Sequence, residues 1–253
     1  MLSKETITVI ARRYQISEFP NVIREYFQHI FLSELYRLPG AEKMLFKGGT
    51  ALRIIYGSPR FSEDLDFSLF GVKHNEIKPF VEELFVRVLA EMARADVKVE
   101  IGNKIGVTSG GYFGVATFRM FEYPPVSMKI NLSARNGKGI QNEMDSVVND
   151  FVPAYTIIHL SQNELVEEKV FGALRERKKP RDFYDLYFIM RKGMLSSDQK
   201  KRLAGMKDDI LADAKKIDFR LELGVFLPVG QQMIIRDFSE MLKRELNRQV
   251  ASV

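Results

Sequence analysis

The sequence predicts an α+β fold: a small mixed sheet with flanking helices, followed by a helical C-terminal part. Three observations predict it. Helical apolar spacing dominates the run from 22 to 38. Short apolar or alternating runs recur between 44 and 134. From 161 onward the signals are helical. The chain has 253 residues, 45% hydrophobic and 28% charged, and its 19 Phe and 9 Tyr supply ample apolar surface. That suffices for one large core or two modest ones. The change of character divides the chain into 1–158, an α/β core with N-terminal helices, and 159–253, a mostly helical part.

The elements follow in order. Residues 7–38 read mainly as helix, because Val22, Ile23, Tyr26, Phe27, Ile30, Phe31 and Leu35 fall on one helical stripe. Pro39-Gly40 stops it. The apolar 44–46 leads into Lys47-Gly48-Gly49-Thr50, and ALRIIYG after it suits one or two helical turns. Leu65, Phe67 and Leu69 alternate on one face of a strand over 65–70. A helix over 78–93 has Phe80, Leu84, Phe85, Val88 and Leu89 on its apolar side. Strands are predicted at 97–101, 105–108, 112–121 and 126–134, with a polar turn at 135–138. Ser161 and Glu164 have capping-box spacing for a helix to about residue 177. Pro180 suits a first helical turn, and Gly193 ends that helix. Further helices are predicted at 198–216 and 236–249.

Composition narrows the function. With no Cys, a disulfide framework, thiolate metal sites and a cysteine nucleophile are excluded. No run reaches the roughly 18 apolar residues of a membrane span, and no secretion signal is read at the start. The expectation is a cytoplasmic protein without a membrane partner. The 38 basic and 33 acidic residues give +5, and the segment 169–192 alone carries eight basic and three acidic residues. That patch suits phosphates, of a nucleotide or of an RNA backbone, or is simply a solvated helix face. His29, His74 and His159 have no metal-ligand spacing, and no GxSxG motif supports a hydrolase.

The sharpest feature lies at 46–69. Asp64 and Asp66 are two apart, so on a strand they share a face. Two carboxylates side by side repel unless a cation offsets them. Mg²⁺ does this, commonly with one or two carboxylates plus substrate phosphates; the plainer alternative is two solvent-facing aspartates. Upstream, Gly48-Gly49 allows close backbone approach at a helix start, where free amides can meet phosphate oxygens. A tight strand-to-helix turn is the alternative there. Thr50 can add a hydroxyl contact, and Lys47 either neutralises phosphate or extends to solvent. The spacing is neither GxxxxGK[ST] nor GxGxxG.

This stretch resembles the nucleotidyltransferase AbiEii/AbiGii toxin family, within the DNA polymerase β-like nucleotidyltransferase superfamily. The family's KGGTALxxxYG…RFSEDLDF is nearly verbatim here, so Arg60, Ser62 and Glu63 belong to the likeness. Its EK pair followed by Arg is matched by Glu168-Lys169 with Arg175 and Arg177, and its RDxYDLY segment by 181–187. The matches run in order over about 44–190. The resemblance implies a polymerase β-like nucleotidyltransferase core whose cleft the helical part completes. It implies Mg²⁺ (or Mn²⁺) on Asp64 and Asp66, and NTP as co-substrate. Phosphates would be cradled by Gly48, Gly49 and Thr50, with Lys47, Ser62, Arg177 and Arg181 in the nucleotide-binding set. Lys169 would meet phosphate or neutralise charge during transfer, and Asp182 or Asp185 would fix it or another basic group. Asp182 has a second reading as a helix N-terminal charge.

One departure stands out. The superfamily commonly places a third carboxylate on a neighbouring strand, where this chain has Asn131. An amide oxygen can ligate the metal but cannot act as a base. A two-carboxylate site, changed acceptor chemistry, substitution by Glu122 or loss of catalysis each follow as options. The resemblance implies transfer of a nucleoside monophosphate from NTP to an acceptor such as a tRNA 3′ end, by the toxin of a toxin–antitoxin or abortive-infection pair with a separate antitoxin protein. The alternatives are a nucleotide- or RNA-binding module with little transfer, and transfer to a protein or small-molecule hydroxyl.

Overall fold

The computed structural model describes residues 2–102, 105–134 and 140–251. The polar turn predicted at 135–138 lies outside them. The chain divides into two compact units: Met1–Gly57 with Phe61–Leu160, and Ser58–Arg60 with Ser161–Val253. The three residues 58–60 thus belong by their contacts to the second unit, although the chain around them belongs to the first.

In the first unit, α1 (Lys4–Tyr14) starts at Ser3, whose hydroxyl accepts from the Thr6 amide, and ends at Gln15 in the left-handed conformation. Phe19 is extended, so the helical reading of 7–38 breaks before α2 (Ile23–Leu35). Eleven of the thirteen α2 residues are buried, among them Glu25, Gln28, His29 and Ser33. A helix enclosed on nearly every side must find partners for its polar groups.

The strands are β1 (Met44–Lys47), β2 (Leu65–Leu69), β3 (Lys98–Ile101), β4 (Gly106–Thr108), β5 (Gly111–Arg119), β6 (Val126–Ala134), β7 (Asn142–Val147) and β8 (Tyr155–Leu160). They form one mixed sheet in the order β3-β5-β6-β2-β1-β8-β7, with β4 paired to β5. β2 runs parallel to β6 and antiparallel to β1, and β1 runs parallel to β8. The short α3 (Gly48–Ile54) links β1 towards β2, and α4 (Ile77–Arg94) precedes β3. One sheet face packs on α2 and α4 through aromatic pairs, Phe27 with Phe118 at 4.9 Å between ring centres and Phe85 with Tyr112 at 6.1 Å, and the two helices meet through Phe31 and Phe85 at 5.6 Å.

The second unit is helical. Its first helix begins as α5 (Gln162–Val166), widens to a π-helical stretch over Glu167–Ala173, and closes as α6 (Leu174–Arg177). Then follow α7 (Pro180–Lys192), α8 (Ser197–Ala214), α9 (Phe219–Leu223), α10 (Gln232–Arg236) and α11 (Phe238–Val250). Phe183, Tyr184, Tyr187, Phe219 and Phe238 form its aromatic core. No helix among the described residues is long and apolar enough to cross a membrane. The fold is α+β, a mixed-sheet core followed by an extensive helical region, as in polymerase β-like nucleotidyltransferases.

Candidate active site

Strand register assembles the first half of the site. On the core face, Phe46 pairs with Phe67 and Phe67 with Leu132, and all three are buried. The pleat therefore sends the alternate residues to the opposite face. There Lys47 pairs with Asp66 and Asp66 with Asn131, a row across β1, β2 and β6. Leu65 is fully buried while Asp64 and Asp66 on either side are half-buried, Asp64 lying just before β2 and Asp66 within it. The Asn131 amide donates to Asp66 Oδ1 at 2.9 Å. Lys47 Nζ donates to Ser133 Oγ at 2.7 Å.

The turn from β1 into α3 is fitted to this row. Gly48 has φ +84°, and a Cβ built on it would lie 2.2 Å from Asp66 Oδ2. Glycine is required both for the conformation and for the close approach. Thr50 is fully buried, and its hydroxyl donates to the Asp64 carbonyl at 2.5 Å. The resemblance placed Thr50 against phosphate; the hydrogen bond it makes holds the backbone of the first aspartate. The Ser62 and Glu63 carbonyls accept from Gln28 of α2 at 3.0 and 3.2 Å, and Arg24 pairs with Glu63 at 3.3 Å. Sequence reasoning passed over Arg24 and Gln28. Their signal was weak: polar residues set inside a helix whose apolar neighbours dominate its pattern.

Among the described residues, no group of three or more His, Cys, Asp and Glu side chains gathers as a metal site. Two carboxylates with an adjacent amide, next to a glycine whose missing side chain leaves Asp66 accessible to the backbone, is a smaller donor set. It fits a Mg²⁺ or Mn²⁺ ion that draws its other ligands from phosphate oxygens and water.

The second unit holds a buried charge cluster. Asp185 on α7 is 1% exposed, Arg60 3%. One carboxylate oxygen of Asp185 accepts from Arg60 Nη2 at 2.7 Å and Nε at 3.0 Å; the other accepts from Lys169 Nζ at 2.8 Å. Burial pushes the Asp185 carboxyl up, but Arg60 and Lys169 outweigh it and hold it below the usual aspartate range. Two cations thus address the one carboxylate, Arg60 on one oxygen and Lys169 on the other. Lys169 lies in the π-helical stretch, a distortion of the sort that often marks functional positions. Of the two aspartates expected to fix the lysine, Asp185 does so. Asp182, also buried, accepts from the Lys179 amide at 3.1 Å and from Arg177 at 2.6 Å, which closes the start of α7. Arg181 pairs with Glu222 at 3.0 Å.

Comparison with known proteins follows the same lines. The family model described as "Nucleotidyl transferase AbiEii toxin, Type IV TA system" matches residues 30–250. Among curated proteins, none matches. A crystal structure described as a "putative nucleotidyltransferase from H. pylori" is similar with a TM-score of 0.60 at 20% identity, covering 92% of this chain and 96% of that one. The structure of JHP933 from Helicobacter pylori gives 0.60 at 20% identity, covering 100% and 94%. At that identity the two structures speak for the fold. The family match spans most of the chain, including every strand of the carboxylate row and the Arg60–Asp185–Lys169 cluster: the chain belongs to the AbiEii nucleotidyltransferase toxin family.

Proposed function

We propose that the protein transfers a nucleoside monophosphate from NTP to an acceptor hydroxyl, with an RNA such as a tRNA 3′ end as the acceptor, and that it acts as the toxin of a pair with a separate antitoxin protein. The observation that carries the reading is the row Lys47–Asp66–Asn131 beside Gly48, where a backbone turn and a carboxylate meet with no room for a side chain. In the transfer, the acceptor oxygen bonds to the α-phosphorus, the bond to the bridging oxygen breaks, and pyrophosphate leaves with that electron pair. The acceptor's proton passes to solvent water, since the Asn131 amide cannot take it.

A divalent cation, when bound, supplies charge neutralisation at the triphosphate and orientation of its oxygens. Asp64 and Asp66 would hold it, with the Asn131 amide oxygen as a further donor. The amides of Gly48 and Gly49 would meet phosphate oxygens, and Thr50 would keep Asp64 in place through its carbonyl. Lys47, in the same row, and Ser62, on the segment that leads into β2, complete the proposed nucleotide set. Lys169 would supply positive charge for phosphate handling, oriented by Asp185, while Arg177 and Arg181 extend the basic surface of the helical unit.

The test is incubation with each labelled NTP, Mg²⁺ or Mn²⁺, and total cellular RNA and protein. Label on RNA, pyrophosphate release, and loss of both in folded Asp64→Asn and Asp66→Asn variants are expected. Label on protein or a small molecule would reassign the acceptor. Asn131 favours one second reading, a nucleotide- or RNA-binding module with little transfer. Tight RNA binding with no pyrophosphate from any NTP would select it.

A further inference from the structure

We propose that Gln28 is a positioning residue for the candidate metal-binding pair, setting where Asp64 stands relative to Asp66. The inference rests on reading those two aspartates as divalent-cation ligands, and it adds a residue from a helix that carries none of the motif. Residues 61–64 approach the site just before β2, whose pairing begins at Leu65 with β6 and at Asp66 with β1. Their backbone must therefore be held by something other than strand pairing.

Side chains of α2 and α3 hold it, residue by residue. The Arg53 guanidinium lies over the Phe61 ring, 4.0 Å from its centre, and is itself gripped by buried Glu25 of α2. Gln28 Nε2 donates to both the Ser62 and Glu63 carbonyls. Arg24, one turn earlier on α2, pairs with the Glu63 carboxylate. Thr50 holds the Asp64 carbonyl. Gln28 is 1% exposed, so its amide is shielded from bulk water, and it spans two successive peptide units directly ahead of Asp64. Asp66 is fixed separately, by the ladder and by Asn131. The distance between the two carboxylates thus depends on two unlike anchors, the sheet for one and α2 with α3 for the other. A buried amide that donates twice has no equal in an apolar side chain: Gln28→Met keeps the volume and removes both hydrogen bonds.

The experiment measures Mn²⁺ affinity directly, by calorimetry or electron paramagnetic resonance, alongside thermal unfolding, on the full chain. Wild type, Gln28→Met, Gln28→Glu, Asp66→Asn and a core control, Val88→Ala on α4, are compared. Val88 is fully buried on α4 and has no role in the proposed site. Gln28→Met should weaken Mn²⁺ binding about tenfold or more while Val88→Ala, at comparable loss of thermal stability, leaves it unchanged. Gln28→Glu should acquire a pH dependence: a carboxylate facing two carbonyls repels them, and protonation restores a donor, so its Mn²⁺ affinity should recover towards wild type as pH falls to about 6. If Gln28→Met does not fold, that pH-dependent recovery decides alone. Wild-type affinity in folded Gln28→Met, or a loss matched by Val88→Ala, would overturn the proposal and leave the metal-site reading standing. Absence of Mn²⁺ binding that Asp66→Asn abolishes in wild type would overturn both. Mn²⁺ binding without nucleotide transfer would overturn the enzymatic reading while the positioning role holds.

Discussion

A Cβ on Gly48 would lie 2.2 Å from Asp66 Oδ2, and a real side chain never comes that close. Lys47 pairs with Asp66 across the β1–β2 ladder, and Gly48 follows it where β1 turns into α3. The turn and the carboxylate are thus one structural unit, although seventeen residues and a helix separate them in sequence.

Gly48→Ala should therefore do two separable things. An alanine at φ +84° costs about 1–2 kcal/mol of backbone strain, and the new methyl must displace Asp66. Gly57 offers the comparison, with φ +77° and nothing within 4 Å of its built Cβ. Gly57→Ala should show the strain alone. Equal losses of thermal stability in the two variants, with divalent-cation binding unchanged in Gly48→Ala, would show that the Asp66 contact has no bearing on the site.

Asp185 is the stability counterpart. Removing its charge by Asp185→Asn leaves Arg60 and Lys169 without the carboxylate that both address, a loss of about 3–5 kcal/mol for breaking a buried ion pair. The pH sign follows from the direction of its shift. Its folded pKa is below the ordinary aspartate value because Arg60 and Lys169 outweigh burial. The unfolded chain then takes up the proton first as pH falls, so the contribution is complete above the unfolded value and lost as pH drops through the folded one. Urea unfolding between pH 5 and 2.5 should show wild type losing more stability than Asp185→Asn, which keeps only the acid sensitivity of the other groups, His29 among them. Parallel curves would dismiss the cluster as a source of acid sensitivity.

These two sites differ in how much of them was legible in the sequence. Leu65, Phe67 and Leu69 mark β2 because a period of two appears only when one face is buried, and all three are. Pro180 and Gly193 bracket α7 since one suits a first turn and the other, at φ +72°, a left-handed end. β7 left no trace: five of its six residues are exposed, so nothing forces alternation on NEMDSV. β8, with TIIHL, carried a β-branched alternating signal that the reading passed over. α2 was read as one apolar stripe, and its near-total burial is a tertiary fact. That is why Gln28, Glu25 and His29 were invisible as partners. The Arg60–Asp185 pair joins residues 125 apart, and no local spacing encodes it.

His29 supplies a second acid sensitivity with its own window. The ring lies on α2, stacked on Phe151 at 5.3 Å, with Nδ1 2.9 Å from the Tyr155 hydroxyl. Burial, then Arg53, push its pKa down to about 3, against a smaller opposing pull from Asp150. The native ring stays neutral while the unfolded one protonates near pH 6.5. Stability is therefore complete above that pH and falls as pH drops from 6.5 towards 3, by at most about 1.4 kcal/mol per pH unit. Glu25, also buried and shifted up by that burial, acts with the opposite sign above pH 4.5, where it opposes rather than adds to the histidine slope. His29→Gln removes the first while Glu25, whose Oε1 lies 3.9 Å from His29 Nε2, stays in place. Between pH 6.5 and 4.5 its unfolding midpoint should vary less than that of wild type; an unchanged slope would assign the acid sensitivity elsewhere.

Lys169 distinguishes a structural cation from a working one. Its ammonium, 10% exposed as a side chain, sits 2.8 Å from Asp185, which already has Arg60. Were Lys169 present only to neutralise Asp185, Arg60 would suffice, and a second buried cation would be a desolvation cost without return. An ammonium held in place by a carboxylate is what a triphosphate needs, since its charge exceeds that of one divalent cation. The π-helical stretch carries Lys169 between Val166 and Val170, both fully buried, so truncating the side chain spares the core. Lys169→Ala should keep the unfolding transition within a few degrees of wild type, because Asp185 retains its guanidinium partner. It should nonetheless reduce nucleotide transfer by a hundredfold or more. Lys169→Arg should restore only part of this, as a planar head does not replace a compact ammonium on the same carboxylate. Asp185→Asn with Lys169→Ala should cost less transfer than the sum of the single losses, because the aspartate acts through the lysine. Full transfer by folded Lys169→Ala, or strictly additive losses in the double variant, would leave the lysine a structural partner of Asp185 and nothing more.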